Sequence, residues 1–231
     1  MIIGINGKIS AGKDTVGTII QRLLLTNKNQ SSEIKKFAGK LKQIASILTG
    51  ISVEKFEDQE FKNTILGEQW GTIEINPLNA IPVFEDVQFN HLMSVREFLQ
   101  KLGTEAMRKG LHTNVWVNAL FADYRNGEII ESDKHYILKP VDNWIITDMR
   151  FPNEMEAVEK RHGITIRVNR AKIIKLSENI SYVYNPLFDE PEHESETALD
   201  DAEFDYVIDN DGTMEELVKK VREILVNEEL I

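Results

Sequence analysis

Gly7, Gly12 and Lys13 stand in the stretch GKISAGKDT, residues 7–15, at the spacing of a phosphate-binding loop: glycine, four residues, glycine, lysine. Glycines in such a loop let backbone N–H groups converge on anionic oxygens with no side chain in the way. The helix that follows adds the partial positive charge of its first turn. Lys13 would then bridge the β- and γ-phosphates of a nucleotide. The pattern asks for serine or threonine directly after the lysine, but here Asp14 stands there and Thr15 follows it. A carboxylate is a hard oxygen ligand and can replace a hydroxyl on magnesium. It is also favoured at a helix start by the dipole, and the two roles are compatible. The bland alternative for the whole stretch is a tight strand-to-helix turn that contains a lysine.

A second group closes an apolar run. NWIITDMR, residues 143–150, brings Asp148 to the end of a strand with Arg150 two residues on. Asp148 could hold magnesium through water, accept a proton from a substrate, or simply cap a helix. A cation beside a carboxylate at a strand's carboxyl end suits phosphoryl transfer, in which neutralising charge does most of the work. The alternative is a structural Asp148–Arg150 pair. None of the five histidines has metal-ligand spacing, no serine–histidine–acid triad stands out, and there is no cysteine. Disulfides, thiolate metal sites and cysteine nucleophiles are thereby excluded.

These residues need elements to hold them. Residues 2–6, IIGIN, form a short apolar run that reads as a buried strand, and Val16, Ile19, Ile20, Leu23 and Leu24 recur at helical spacing behind the loop. Strand, glycine-rich loop and helix thus follow in the required order. A second strand is expected at 33–38 and a helix over 39–49, stopped by Gly50. Residues 51–93 are less regular and read as an insertion or a flap. Ser94 is read as an N-cap with Glu97 completing a capping box, ahead of a buried stripe of Val95, Phe98, Leu99 and Leu102. Arg96, Gln100 and Gly103 share another face of that helix. A further helix is expected over 113–124, a hairpin or loop over 126–139, a proline-initiated helix from 152, a strand over 164–168, a loop over 170–200, and a closing strand, turn and helix from 205. Alternating strands and helices argue for an α/β fold with a central parallel sheet and helices on both faces. Ligands gather at the carboxyl ends of such strands. The phosphate loop, Asp148 and the 209–212 turn all fall there.

Composition agrees with a packed enzyme. Of 231 residues, 42% are hydrophobic and 28% charged, a balance that supports a core and argues against global disorder. The net charge of −11, with no dense basic run, argues against a nucleic-acid partner. No apolar run reaches the ~18 residues needed to span a membrane, and the N-terminus lacks the features of a signal peptide. A cytoplasmic enzyme or binding protein is the expectation.

Taken together, SAGKDT, FAGKLKQIA, SVREFLQKLGTEAMR with VWVNALFADY after it, WIITDMRFPNEMEAV, HESET and DYVIDNDGTMEELVKKV resemble one family in order. It is the bacteriophage-type deoxynucleoside monophosphate kinases, within the P-loop NMP kinase fold. GKDT in place of GK[ST] is itself a trait of that family. The resemblance spans the chain except for 51–93 and 125–142. It implies a single P-loop kinase domain over 1–231, with an acceptor-binding insertion at about 38–128 and a lid-like loop at about 170–200. It implies that Lys8, Ser10, Gly12, Lys13, Asp14 and Thr15 hold the ATP phosphates and magnesium, with Asp14 and Asp148 as metal ligands and Asn210 to Gly212 by the adenine. On the acceptor side it implies Lys42 and Arg96 for the monophosphate, and Gly103, Thr104 and Trp116 for base and sugar. Asp148, Arg150 and Glu154 would lie between donor and acceptor, with Lys13, Asp148 and Arg150 catalytic. His193, Ser195 and Glu196 fall in an H-x-[ST]-E pattern near the lid, where Ser195 would touch the substrate. The bland alternatives are solvated charges for Lys42 and Arg96, core for Trp116, a helix C-cap for Gly103 and a surface position for His193.

The function this implies is transfer of the γ-phosphate of ATP to a deoxynucleoside 5′-monophosphate, with ATP and Mg²⁺ as cofactors. The partners are small-molecule nucleotides, with a homodimer as an open alternative and neither nucleic acid nor membrane. The rival readings are a kinase of the dephospho-CoA or phosphomevalonate type, which shares the first loop and the NDGTMEEL ending but not the LGTE…W block, and a regulatory nucleotide-binding switch.

Overall fold

The computed structural model describes residues 1–71, 91–124, 129–132, 135–138, 143–171, 173–177, 180–183 and 194–231. The chain divides into two compact units, Met1–Phe37 with Val117–Ile231, and Ala38–Trp116. In chain order the first elements are β1 (Ile2–Asn6), α1 (Lys13–Lys28), β2 (Glu33–Lys35), α2 (Ala38–Thr49), α3 (Gln59–Lys62), α4 (Val95–Gln100) and α5 (Val115–Phe121). They are followed by β3 (Ile129–Ser132), β4 (His135–Leu138), β5 (Trp144–Ile146), α6 (Pro152–Glu159), β6 (Ile164–Asn169), β7 (Ile173–Ser177), β8 (Ile180–Val183), α7 (Glu194–Thr197), β9 (Tyr206–Asp209) and α8 (Met214–Asn227).

The first unit is built on a five-stranded sheet in the order β2-β5-β1-β6-β9, and every pairing in it is parallel. A parallel sheet is covered on both faces, so its strands read as continuous apolar runs; all five residues of β1 are buried. Helix α1 contributes Val16, Ile20 and Leu24, and α8 contributes Leu217, Val221 and Leu225, to one core with Ile3, Ile145 and Ile166 of the strands. Helix α6 packs against β1 and β6, with Met155 and Val158 buried. Proline opens α6 as expected, since a first-turn residue has no intrahelical partner for its N–H.

Several expectations change in detail. β5 ends at Ile146, two residues short of Asp148, so the functional residues lie on the turn after the strand. The expected helix over 113–124 is confined to Val115–Phe121. Residues 126–139 contain the antiparallel hairpin β3–β4. The stretch expected as loop from 170 contains a second hairpin, β7–β8, and the short α7. The stretch IIKLS does not alternate cleanly, because Ile173 and Ile174 are adjacent, and the ladder carries an irregularity between Lys175 and Ser177.

The second unit is helical. Ala45, Phe56, Met93, Val95 and Phe98 form its core, with Trp70, Leu99 and Leu102 partly buried against them. Short 3₁₀ turns at Val53–Glu57 and Glu68–Trp70, and helix α3 capped by Asp58, give the irregular stretch more order than its pattern suggested. Residues 72–90, with the aromatic-acidic segment read as a flap, lie outside the described residues. Ser94 caps α4 by accepting from the Glu97 N–H at 3.1 Å, but the Glu97 carboxylate turns to His91 and Lys101. Beyond Gln100 the helix widens into a π-helical run, Lys101–Lys109. Gly103 is a poor helix former, and its carbonyl accepts the Trp116 indole N–H at 2.9 Å.

Candidate active site

The loop between β1 and α1 has two glycines at which any side chain would be strained. Gly7 has φ 156° and Gly12 φ 101°. A Cβ on Gly7 would lie 2.4 Å from the Val168 carbonyl oxygen, and one on Gly12 would lie 2.4 Å from Asn210 Nδ2. Ser10 also takes a left-handed φ of 63°. Gly12 caps α1 without a side-chain hydrogen bond, so the first-turn N–H groups of α1 receive no side-chain oxygen from their N-cap residue. Asn210, after β9, donates its amide to the Ala11 carbonyl at 2.9 Å and pins the loop from outside. The sequence placed Asn210 beside an adenine; the structure gives it this clamping contact. Gly212 leaves room for the Glu216 carboxylate, which accepts the Thr213 N–H at 2.8 Å in the capping box of α8.

Lys13 lies folded along the loop, donating to the carbonyls of Gly7 at 2.6 Å and Lys8 at 2.8 Å. Burial pushes its ammonium down to about 8, the nearby Arg150 charge adds to this, and Asp14 and Asp148 oppose it. Asp14 accepts the Thr147 hydroxyl at 2.6 Å and pairs with Lys36 at 3.4 Å. Burial works to raise the Asp14 carboxyl, but the Thr147 hydrogen bond and the Lys36 charge outweigh it and hold it below the usual carboxylate value. Thr15 is partly buried in the same first turn. Asp148 accepts the Phe37 N–H at 2.7 Å.

Arg150 is held by the Glu196 carboxylate and by the Ser195 carbonyl at 3.3 Å. Lys8 donates to the Glu196 carbonyl at 2.7 Å and pairs with Asp200 at 2.8 Å. The segment Glu194–Asp200 thus supplies oxygens to two of the proposed phosphate-binding cations. Ser195 contributes through its backbone. His193 lies outside the described residues. Glu154 is a correction: it is 2% exposed and accepts the N–H groups of Arg150 at 2.8 Å and Phe151 at 3.2 Å. It supports the turn that presents Arg150. Lys36 and Thr147 were missed. The signal for Thr147 was a lone hydroxyl ending the apolar run of β5; Lys36 carried none.

In the second unit the residues assigned to the acceptor have diverse surroundings. Arg96 donates to Asn63 at 3.2 Å and to Gln59 at 3.4 Å. Both are neutral amides, so these bonds leave its charge uncompensated. Lys42 is 7% exposed and paired with Glu57 at 2.5 Å. Thr104 is buried, and Trp116 is 4% exposed with its single N–H spent on Gly103. Trp116 therefore packs as a core residue. The space beside Gly103 is filled by the Leu41 side chain, 2.9 Å from where a Cβ would stand. Arg96 is the one candidate here whose fork can turn to an anion without breaking an ion pair shown in the structure.

The described residues contain no helix long and apolar enough to cross a membrane and no cluster of three or more histidine or acidic side chains suited to a metal. The sequence profile described as deoxynucleotide monophosphate kinase matches residues 41–221. Deoxynucleoside-5′-monophosphate kinase of Escherichia phage T5 is 25% identical over 199 residues, covering 71% of this chain and 74% of that protein. Deoxynucleotide monophosphate kinase of Escherichia phage RB69 is 28% identical over 153 residues, covering 66% of this chain, which spans about half (53%) of that protein's length. The profile match begins after the phosphate loop, so the loop geometry and the match are separate observations. By the extent of that match, this chain belongs to the deoxynucleotide monophosphate kinase family.

Proposed function

We propose that this chain moves the γ-phosphate of ATP to a deoxynucleoside 5′-monophosphate, giving the diphosphate and ADP. The observation that carries this reading is the loop of Gly7, Gly12 and Lys13, whose backbone conformations favour glycine at two positions, in a chain of this family. The dephospho-CoA-type, phosphomevalonate-type and switch readings lose their support, because the matched span includes the LGTE…W and DMRFPNE blocks.

In this mechanism an oxygen of the acceptor's phosphate is the nucleophile. It is anionic at neutral pH, so no strong general base is required. Its bond to the γ-phosphorus forms as the bond from that phosphorus to the β,γ-bridging oxygen breaks, and the electron pair leaves on ADP. Catalysis is then positioning and charge neutralisation. The loop N–H groups seat the phosphates. Lys13 supplies a cation whose pKa is lowered first by burial and then by the neighbouring Arg150 charge. Arg150 exchanges Glu196 for a phosphoryl oxygen, and Arg96 takes the acceptor's phosphate through its planar fork. Magnesium fits the donor set: Asp14 and Asp148 would supply two carboxylates, and this metal commonly takes one or two together with substrate phosphates. When bound, it supplies positive charge to phosphate oxygens.

A coupled assay of ATP consumption with deoxy- and ribonucleoside monophosphates, dephospho-CoA and phosphomevalonate tests the reading. Turnover with at least one deoxynucleoside monophosphate, and none with the last two compounds, is expected. Turnover with dephospho-CoA or phosphomevalonate alone overturns it.

A further inference from the structure

We propose that Asn6 and Arg167 are positioning residues that aim Arg150, through a relay running Lys8–Asp200–Arg167–Asn6–Met149 carbonyl. The inference rests on the phosphotransfer reading for its consequence and on geometry for its existence.

Asn6 ends β1, directly before Gly7, and is 5% exposed. Its Nδ2 donates to the Met149 carbonyl at 2.7 Å, and its Oδ1 accepts from Arg167 Nη1. Met149 stands between Asp148 and Arg150, and its N–H donates to the Ile5 carbonyl at 3.2 Å. Both backbone groups of the middle residue of that turn are thus gripped by the last two residues of β1. Arg167 decides which way the Asn6 amide faces. A guanidinium only donates, so Oδ1 must face it and Nδ2 is left for Met149. Asp200 then fixes Arg167 at 2.9 Å and takes Lys8 of the phosphate loop at 2.8 Å. One buried amide therefore joins the start of the loop to the turn that carries Arg150.

A leucine at position 6 would serve the core as well, and a buried polar chain costs stability wherever it is incompletely satisfied. What an amide adds is a fixed distance between loop and turn. Asn6→Asp keeps the shape and the Arg167 contact but cannot donate to Met149. A misplacement of about 1 Å in a reacting group costs about a hundredfold, so Asn6→Asp is expected to lower kcat by about 10²-fold. The KM for ATP should move by less than about threefold, because the loop N–H donors stay in place. In an Arg150→Lys background the same change should cost less than about threefold more, since residues acting as one unit are not additive.

A variant that loses Tm but keeps kcat, or that still loses about a hundredfold beside Arg150→Lys, overturns the relay. Asp200→Asn guards against misfolding of Asn6→Asp. It changes a half-exposed side chain and should lower kcat by about three- to tenfold if Arg167 needs its anchor; unchanged kcat overturns the relay. A readout without activity is the Arg150 Nε–H resonance in the ligand-free protein, expected to shift in Asn6→Asp. An unmoved resonance overturns the relay. Should wild type fail on every monophosphate, the functional reading falls, and the resonance still decides the relay.

Discussion

The two units treat their cations in opposite ways. Around the phosphate loop, Lys8, Arg150 and Arg167 are each matched to an acid, and Lys13 lies on loop carbonyls. In the helical unit Lys42 is closed off against Glu57, while Arg96 rests on two neutral amides. The first arrangement is prepared for an anion that displaces protein oxygens. The second leaves a single guanidinium whose exchange of partners is nearly cost-free, because amides are weak rivals to a phosphate. Binding of the donor should therefore be sensitive to many residues of the first unit, and binding of the acceptor to very few of the second.

The sharpest way to break this comparison is Lys13→Ala. Losing a positioned cation from the transferring group costs ~10²–10³ in rate, and kcat should fall by that factor while the fold survives. The same lysine carries a pH signature. Its pKa is about 8 folded, against an ordinary 10.5. Between these values the unfolded chain holds more protons, so stability rises with pH through that window and the contribution is flat below it. Urea midpoints from pH 7 to 10 should show this rise in wild type and lose it in Lys13→Ala.

Next in size is Arg96→Lys, which keeps the charge and removes the fork. It should lower kcat/KM for the monophosphate by about ten- to a hundredfold and leave the KM for ATP almost unchanged. Arg22→Lys, on the exposed side of α1, is the control. Arg108 is unsuitable for that purpose because it is buried at 7% exposure. An effect of Arg96→Lys on ATP alone would erase the distinction between the units. Asp14→Asn should raise the magnesium concentration for half-maximal rate by about tenfold, with Asp14→Ser retaining more activity, as for other changes at a metal's carboxylate. If Asp14 serves only the helix start, both variants should lose about 1 kcal/mol or less and keep the magnesium titration of wild type. The smallest effect expected is that of Trp116→Phe. It loses the bond to Gly103 and about 1 kcal/mol of stability, with kinetics unchanged, and a raised KM for the monophosphate would return Trp116 to a binding role.

The same contrast explains what could be read from the sequence. Gly7, Gly12 and Lys13 were legible because a tight approach of backbone to anion restricts residue types at fixed spacing. β1, α1, β6, β9 and α8 were legible because buried faces impose a period. The bond between Trp116 and Gly103 was not legible, because it joins residues thirteen apart and no local pattern encodes it. The capping contacts of Glu154 were not legible for a related reason: a carboxylate three residues into a helix is as suited to capping as to ligand binding. Asn6, Arg167 and Asp200 were passed over because their partners are brought together by strand order alone, and that order, β2-β5-β1-β6-β9, is set by the whole sheet.

The central place of β1 has a consequence for the chain's birth. Ile3 pairs with Ile145 on one side and Ile164 on the other, so both neighbours of β1 are over a hundred residues downstream. At ribosomal speeds of roughly 5–20 residues per second, IIGIN waits on the order of ten seconds for a partner. Ala38–Trp116 is one uninterrupted stretch with its own apolar cluster, and it is complete within that interval. The nascent chain then carries this helical stretch together with an unpaired, largely apolar strand, the kind of segment that chaperones hold. A full-length chain diluted out of denaturant never passes through that species, because β5 and β6 are present from the outset.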